Sequence, residues 1–148
     1  MNLPRLAASS AILSLFFGVS GALAQSAEPA SPAVERPSGP APLVVYFNAG
    51  SASIRDEDRT VLDQASRAFS EGKPLVMILT GSADRVGPPD RNLTLSQRRA
   101  SAVLHALLDR GIPADRFQIL AKGETELVVP TQENVAESEN RRVEITWR

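Results

Sequence analysis

The chain has 148 residues, 22% of them charged and 43% hydrophobic, which suits one globular domain with a modest core and excludes two large ones. Its formal net charge is −1, so no basic field is available to hold nucleic acid. There is no cysteine, which excludes disulfides, thiolate nucleophiles and cysteine-type zinc sites.

Residues 1–24 read as a signal peptide. MNLPR carries Arg5, an apolar stretch diluted with Ser and Gly follows, and Ala22-Leu23-Ala24 offers the small residues that signal peptidase admits. The rival reading is an uncleaved anchor, because Leu6–Ala24 spans 19 residues, just enough to cross a bilayer. The Gly and Ser content and the Ala-Leu-Ala ending favour cleavage before Gln25. Cleavage removes Arg5 and no acid, so the formal charge goes from −1 to −2. The expected mature chain is exported to the periplasm, has no membrane span, and lacks the cysteine that lipid attachment needs. Residues 25–42 hold five of the eleven prolines and no large hydrophobe except Val34. Such a stretch favours extended polyproline II and serves as a stiff spacer, reaching roughly 50 Å.

The ordered domain is expected over 43–148. LVVYF (43–47) predicts a strand. Ser53 with Asp56 three residues on predicts a capped helix, with Ile54, Val61, Leu62, Ala65 and Phe69 at helical period and Gly72 as the stop. PLVMILTG (74–81) is a continuous apolar run and predicts a central strand buried on both faces. A second helix is expected from about Arg91 to Arg110, before Gly111 and Pro113. FQILAK (117–122) predicts a third strand. RRVEITWR (141–148) alternates cleanly, with Val143, Ile145 and Trp147 on one face. The order is β-α-β-α-β, then a loop or short helix, then β. This is an α/β (α+β) sandwich with right-handed crossovers and helices packed on one mixed sheet.

The inventory for catalysis is thin. His105 is the only histidine, and it shares a polar helical face with Arg98, Ser101 and Asp109. No Ser-His-Asp arrangement, metal cluster or phosphate loop is present in the pattern, so neither an enzyme nor a cofactor is expected. The acid clusters DED (56–58) and ESE (137–139) read as helix-start and loop charges. One place stands out. Asp84 sits just past the carboxyl end of the central strand, where open α/β sheets bind ligands. Leu95, Arg99, Val103 and Leu107 follow at i+4 spacing, so Arg99 lies within an apolar stripe while Arg98 does not. Two readings are open for Asp84 and Arg99. They form a structural ion pair, or they divide a zwitterion, with Asp84 taking an ammonium and Arg99 a carboxylate.

The separated blocks Gly81, Asp84, Gly87, Asn92, Leu95-Ser96, Arg99-Ala100 and Val103 resemble the signature of the OmpA-like domain family, shared by OmpA, Pal and MotB. FNAGSASI (47–54), GIPADRF (111–117), Gly123-Glu124 and NRRVEI (140–145) match its other blocks in order, so the resemblance covers about 43–148. It implies a non-catalytic module that binds peptidoglycan, gripping the diaminopimelate end of a stem peptide. By that resemblance Asp84 takes the ammonium and Arg99 the carboxylate. Asn92 and the backbone amides of Arg85, Val86 and Gly87 complete the pocket, with Leu95 and Asn48 beside it. Outer-membrane association is a further implication. The chain departs from the family at Ser82-Ala83, Gly50, Pro88-Pro89 and Ala136-Glu137. These departures motivate the alternative of an adaptor that keeps the fold and binds another envelope protein.

Overall fold

The computed structural model describes residues 41–74 and 76–148. The expected signal peptide (1–24) and residues 25–40 of the expected linker lie outside the described residues. Four strands form, β1 (Leu43–Tyr46), β2 (Met77–Ser82), β3 (Phe117–Gly123) and β4 (Arg142–Trp147), in one sheet of order β1-β4-β2-β3. The last strand in sequence enters the middle of the sheet. It runs antiparallel to β1 and β2, whereas β2 and β3 are parallel. The apolar run at 77–79 is thereby the central strand that its hydrophobicity predicts, with Met77, Ile78 and Leu79 all buried. Val45 lies opposite Val143, and Leu79 opposite Ile145, so the period-2 residues of three strands share one inner face.

Two helices cover that face, α1 (Arg59–Gly72) and α2 (Pro89–Leu108). Their apolar stripes, Leu62 and Ala65 from α1 with Ala100, Val103 and Leu107 from α2, join the strand residues in one core. Trp147 packs against that core from the end of β4. Helix α1 ends as its sequence predicts: Lys73 adopts a left-handed conformation (φ 41) and its N–H closes on the Phe69 carbonyl.

The local starts differ from expectation. Ser53 does not cap α1; its own N–H donates to Ser51 Oγ at 3.0 Å. The chain instead passes through a 3-10 turn at Asp56–Asp58, held by the Arg55–Asp58 ion pair at 2.6 Å, before the helix begins. Helix α2 starts two residues earlier than its apolar period suggests. Pro89 occupies the first turn, where a missing N–H costs nothing, and Pro88 enters extended. Between β3 and β4 the chain makes turns rather than a short helix. Asn140, fully buried, organises that loop. Its Oδ1 accepts from the Val128 and Val129 amides at 2.9 and 3.0 Å, and its Nδ2 donates to the Val129 carbonyl. No helix among the described residues is long and apolar enough to cross a membrane.

The seat of α2 on the sheet depends on two glycines. A Cβ on Gly81 would lie 2.1 Å from the Ser96 carbonyl oxygen, and one on Gly123 would lie 3.1 Å from the Leu93 backbone. Between them Ser96 Oγ accepts the Gly123 N–H at 2.9 Å and donates to the Leu93 carbonyl at 2.7 Å. At Leu93 and Ser96 the helix therefore rests on strand backbone, while further along Ala100, Val103 and Leu107 pack on side chains. The Gly81→Ala variant is expected to lose ~2–3 kcal/mol in urea unfolding, because helix and strand must part. Gly72→Ala is the control. No atom lies within 4 Å of the added methyl group, and the last turn of α1 should gain about 0.5 kcal/mol.

Candidate functional site

Two chain segments meet at the carboxyl ends of β1 and β2: the turn 47–51 and the loop 82–87. Helix α2 returns across both, which is why Arg99, about three turns into it, faces them. Arg99 is fully buried. Its Nε donates to the Ser51 carbonyl at 2.9 Å, Nη1 to the Ser82 carbonyl at 3.0 Å and Nη2 to the Asn48 carbonyl at 3.2 Å. The guanidinium also lies 5.4 Å from the Phe47 ring centroid. Burial pushes its pKa down to about 10, below the ordinary arginine value, while nearby Asp84 raises it and Arg141 lowers it again. It is a cation at neutral pH.

Of the two readings left open for Asp84 and Arg99, the direct ion pair is not made among the described residues. Asp84 is 4% exposed, and its Oδ2 accepts from Arg141 Nη1 at 3.1 Å. Arg141 Nε is held by the Phe47 carbonyl at 3.1 Å. Arg99 goes to carbonyls because strand ends and turns gather unpaired acceptors there, and a buried carbonyl without a donor is costly. Asp84 Oδ1 accepts no hydrogen bond among the described residues. Asp84 lines a hollow of about 230 Å³ together with Val86, Asn92, Leu95 and four further residues, Ala49, Gly50, Arg91 and Ala136. That is small against the few hundred Å³ of a drug-sized pocket and matches the end of one amino acid.

The remaining expected site residues divide. Val86 and Leu95 line the hollow directly. Asn92 lines it too, but its Nδ2 donates to Glu124 Oε2 at 2.6 Å and to the Gly87 carbonyl at 3.4 Å, so its amide also ties α2 to two loops. Arg85 turns its side chain away, donating to the Thr131 carbonyl at 3.0 Å and pairing with Glu124 and Glu133. The Gly87 amide is taken by Asn134 Oδ1 at 3.2 Å, and the Arg85 carbonyl by the Asn134 N–H at 2.7 Å. Asn48 contributes its carbonyl to Arg99, while its side chain borders a different hollow with Ser53 and Arg55. The departures at Ser82 and Ala83 are both buried and do not line the hollow, whereas Gly50 does.

Arg141, Arg91 and Asn134 are additions from the structure. A signal for Arg141 exists in the sequence: period 2 sets it on the face of Val143 and Ile145, a cation continuing an apolar row as Arg99 does on α2. Asn134 has no such signal, because its role rests on a left-handed turn (φ 59) that the sequence pattern does not single out.

The sequence profile of the OmpA family matches residues 46–141. Outer membrane protein A of Yersinia pseudotuberculosis serotype I is 38% identical over 122 residues, covering 74% of this chain and 34% of that protein. The peptidoglycan-associated lipoprotein of Pasteurella multocida is 34% identical over 104 residues, covering 70% and 69%. The chain thus spans about a third of the length of the first relative and about two thirds of the second. Among solved structures, the peptidoglycan-associated lipoprotein from Burkholderia pseudomallei superposes with a TM-score of 0.65 at 26% identity, over 71% of this chain and 89% of that one. The cell wall anchor of the T6SS from Pseudomonas aeruginosa superposes with a TM-score of 0.55 at 33% identity, over 68% and 73%.

The bonds of Arg99 predict that Arg99→Lys loses about 3 kcal/mol in urea unfolding, since a point ammonium cannot reach three divergent carbonyls. Arg98→Lys, on the exposed side of the same turn, should leave the midpoint unchanged. The pH dependence has a definite sign. Below about pH 10 Arg99 is protonated in folded and unfolded chains, so it adds no slope. Above about pH 10 the unfolded chain holds that proton more tightly, so the group's contribution to stability rises with pH until the unfolded arginine titrates too.

Proposed function

The chain belongs to the OmpA family, and on that premise we propose that it is a non-catalytic module of the cell envelope that attaches noncovalently to peptidoglycan. The observation that carries the reading is Asp84, a nearly buried carboxylate that lines an amino-acid-sized hollow and keeps Oδ1 open. Such a carboxylate favours a cation that brings its own hydrogen-bond donors. The ammonium of a stem peptide's diaminopimelate end is that group.

The same end carries a carboxylate. Arg99 supplies the matching charge from behind the wall of the hollow. Arg99 commits three of its five N–H bonds to the carbonyls that fix the turn and the loop, so it acts on the ligand through its charge. Arg91 at the rim adds a second cation. Arg141 acts as the internal counter-ion that keeps Asp84 aimed before the ligand arrives. Two or three charge-assisted contacts, less the cost of ordering, correspond to binding of a single stem peptide on the order of micromolar to millimolar. A polymeric wall raises that through avidity. A cleaved signal peptide at 1–24 and a proline-rich spacer at 25–42 would set the domain at 43–148 in the periplasm, held off from its point of origin.

Co-sedimentation with purified sacculi tests the reading. The parent should pellet, and free diaminopimelate should release it. Asp84→Asn, which keeps the shape and the Arg141 hydrogen bond, should stay folded at the assay temperature, with a lowered unfolding midpoint because Arg99 and Arg141 lose their counter-charge, and should reduce retention at least tenfold. Retention of Asp84→Asn at the parent's level would sink the site. A parent that stays in the supernatant but recovers an envelope protein would favour the adaptor.

A further inference from the structure

Helix α2 carries a second row of polar residues outside the hollow. Arg91, Arg98 and His105 recur every seven residues, so they stack along one face, with Thr94 and Ser101 between them. All three are exposed. Arg91 and Arg98 make no ion pair among the described residues, although Arg55, Arg59, Arg85, Arg110, Arg141 and Arg142 each have an acid partner. Two further hollows lie along this row. The first, about 340 Å³, shares Gly50, Arg91 and Leu95 with the Asp84 hollow. The second, about 480 Å³, shares Thr94 and Arg98 with the first and reaches His105. The three adjoin through these shared lining residues as a trough along α2, and Asp84, at its inner end, is the only acid among the described residues that line it. Gly50 keeps the junction open: it adds no side chain, and no atom lies within 4 Å of where its Cβ would be.

We propose that this outer face of α2 is a second subsite, which takes a carboxylate of the stem peptide beyond the residue held at Asp84. The inference rests on the wall-binding reading above and extends it to the rest of the ligand. Seven helical residues separate Arg91 from Arg98, about 10 Å at 1.5 Å per residue, and three residues of extended peptide cover that span. The trough is cationic and the stem peptide is anionic, so the α-carboxylate of the glutamate joined directly to the gripped diaminopimelate meets Arg98, with the long diaminopimelate side chain and the γ-linkage supplying the reach. An exposed pair of this kind is weak and screened by salt, so it tunes selection among stem peptides while Asp84 anchors them.

Isothermal titration of the full chain with three probes tests this. The probes are free meso-diaminopimelate, the tripeptide L-Ala–γ-D-Glu–meso-diaminopimelate, and the same tripeptide with the glutamate α-carboxylate amidated. The acidic tripeptide should bind the parent about fivefold more tightly than the amidated one at low salt, and ~0.5 M salt should shrink that difference. Arg98→Glu should abolish or invert it while leaving affinity for free diaminopimelate unchanged. Equal affinity of the parent for the two tripeptides, or an unchanged preference in Arg98→Glu, overturns the subsite and leaves the Asp84 site standing. Failure of the parent to bind any of the three overturns both.

Discussion

A single guanidinium joins the parts of this molecule that carry its site. Arg99 bonds carbonyls from two segments that no strand pairing connects. β1 and β2 are separated in the sheet by β4, and the turn after β1 and the end of β2 are joined through this side chain, with Arg141 adding a second tie from the Phe47 carbonyl to Asp84. Each charge-assisted bond contributes about 1.5–3 kcal/mol where water is excluded, which offsets the desolvation that pulls the pKa down. Asp84, close enough to raise that pKa, lowers the cost of the buried charge without touching it. The hollow beside Asp84 keeps its shape because both of its walls are tied to the same cation.

The reach of Arg99 depends in turn on how close α2 comes to the sheet. Gly81 and Gly123 remove the side chains that would hold the helix off, and Ser96 bonds across the gap to the Gly123 amide. The β-bulge between Gly81 and Ser82 falls at the same place. It lets the chain leave the ladder and present the Ser82 carbonyl to Arg99 and the Asp84 carboxylate to the hollow. Asn92 and Asn134 then lock the loop from both sides. Spacing between glycines, serine, aspartate and arginine is thus one mechanical requirement, a close helix–strand contact followed by a loop with fixed exits.

The charges sort by what they face. Arg99 and Arg141 point inward, one to carbonyls and one to Asp84, and both occupy positions where the apolar period of their element calls for a hydrophobe. Arg91 and Arg98 point outward along α2 without acid partners among the described residues. On the proposed wall-binding reading, a buried carboxylate with one open oxygen and the cationic residues beside it would make an asymmetric receptor, taking an ammonium at the closed end and carboxylates along the open one. That polarity matches a peptide whose gripped residue is zwitterionic and whose body is acidic.

Much of this was legible in the sequence. The period-2 and helical-period patterns determined the strands, the helices and the core, because burying one face is a local requirement that recurs at fixed spacing. Asp84 after the central strand and Arg99 in an apolar stripe were visible as anomalies for the same reason. What the sequence left open was which partner each anomaly has. Pairing the two was a natural reading, yet Arg99 went to three carbonyls and Asp84 to Arg141, 57 residues away. Ser53 likewise looked like a cap until the Arg55–Asp58 turn displaced the helix start. Partner choice depends on where orphaned backbone acceptors converge, and only the closed sheet, with its last strand inserted at the centre, brings residues 48, 51, 82 and 141 to one point.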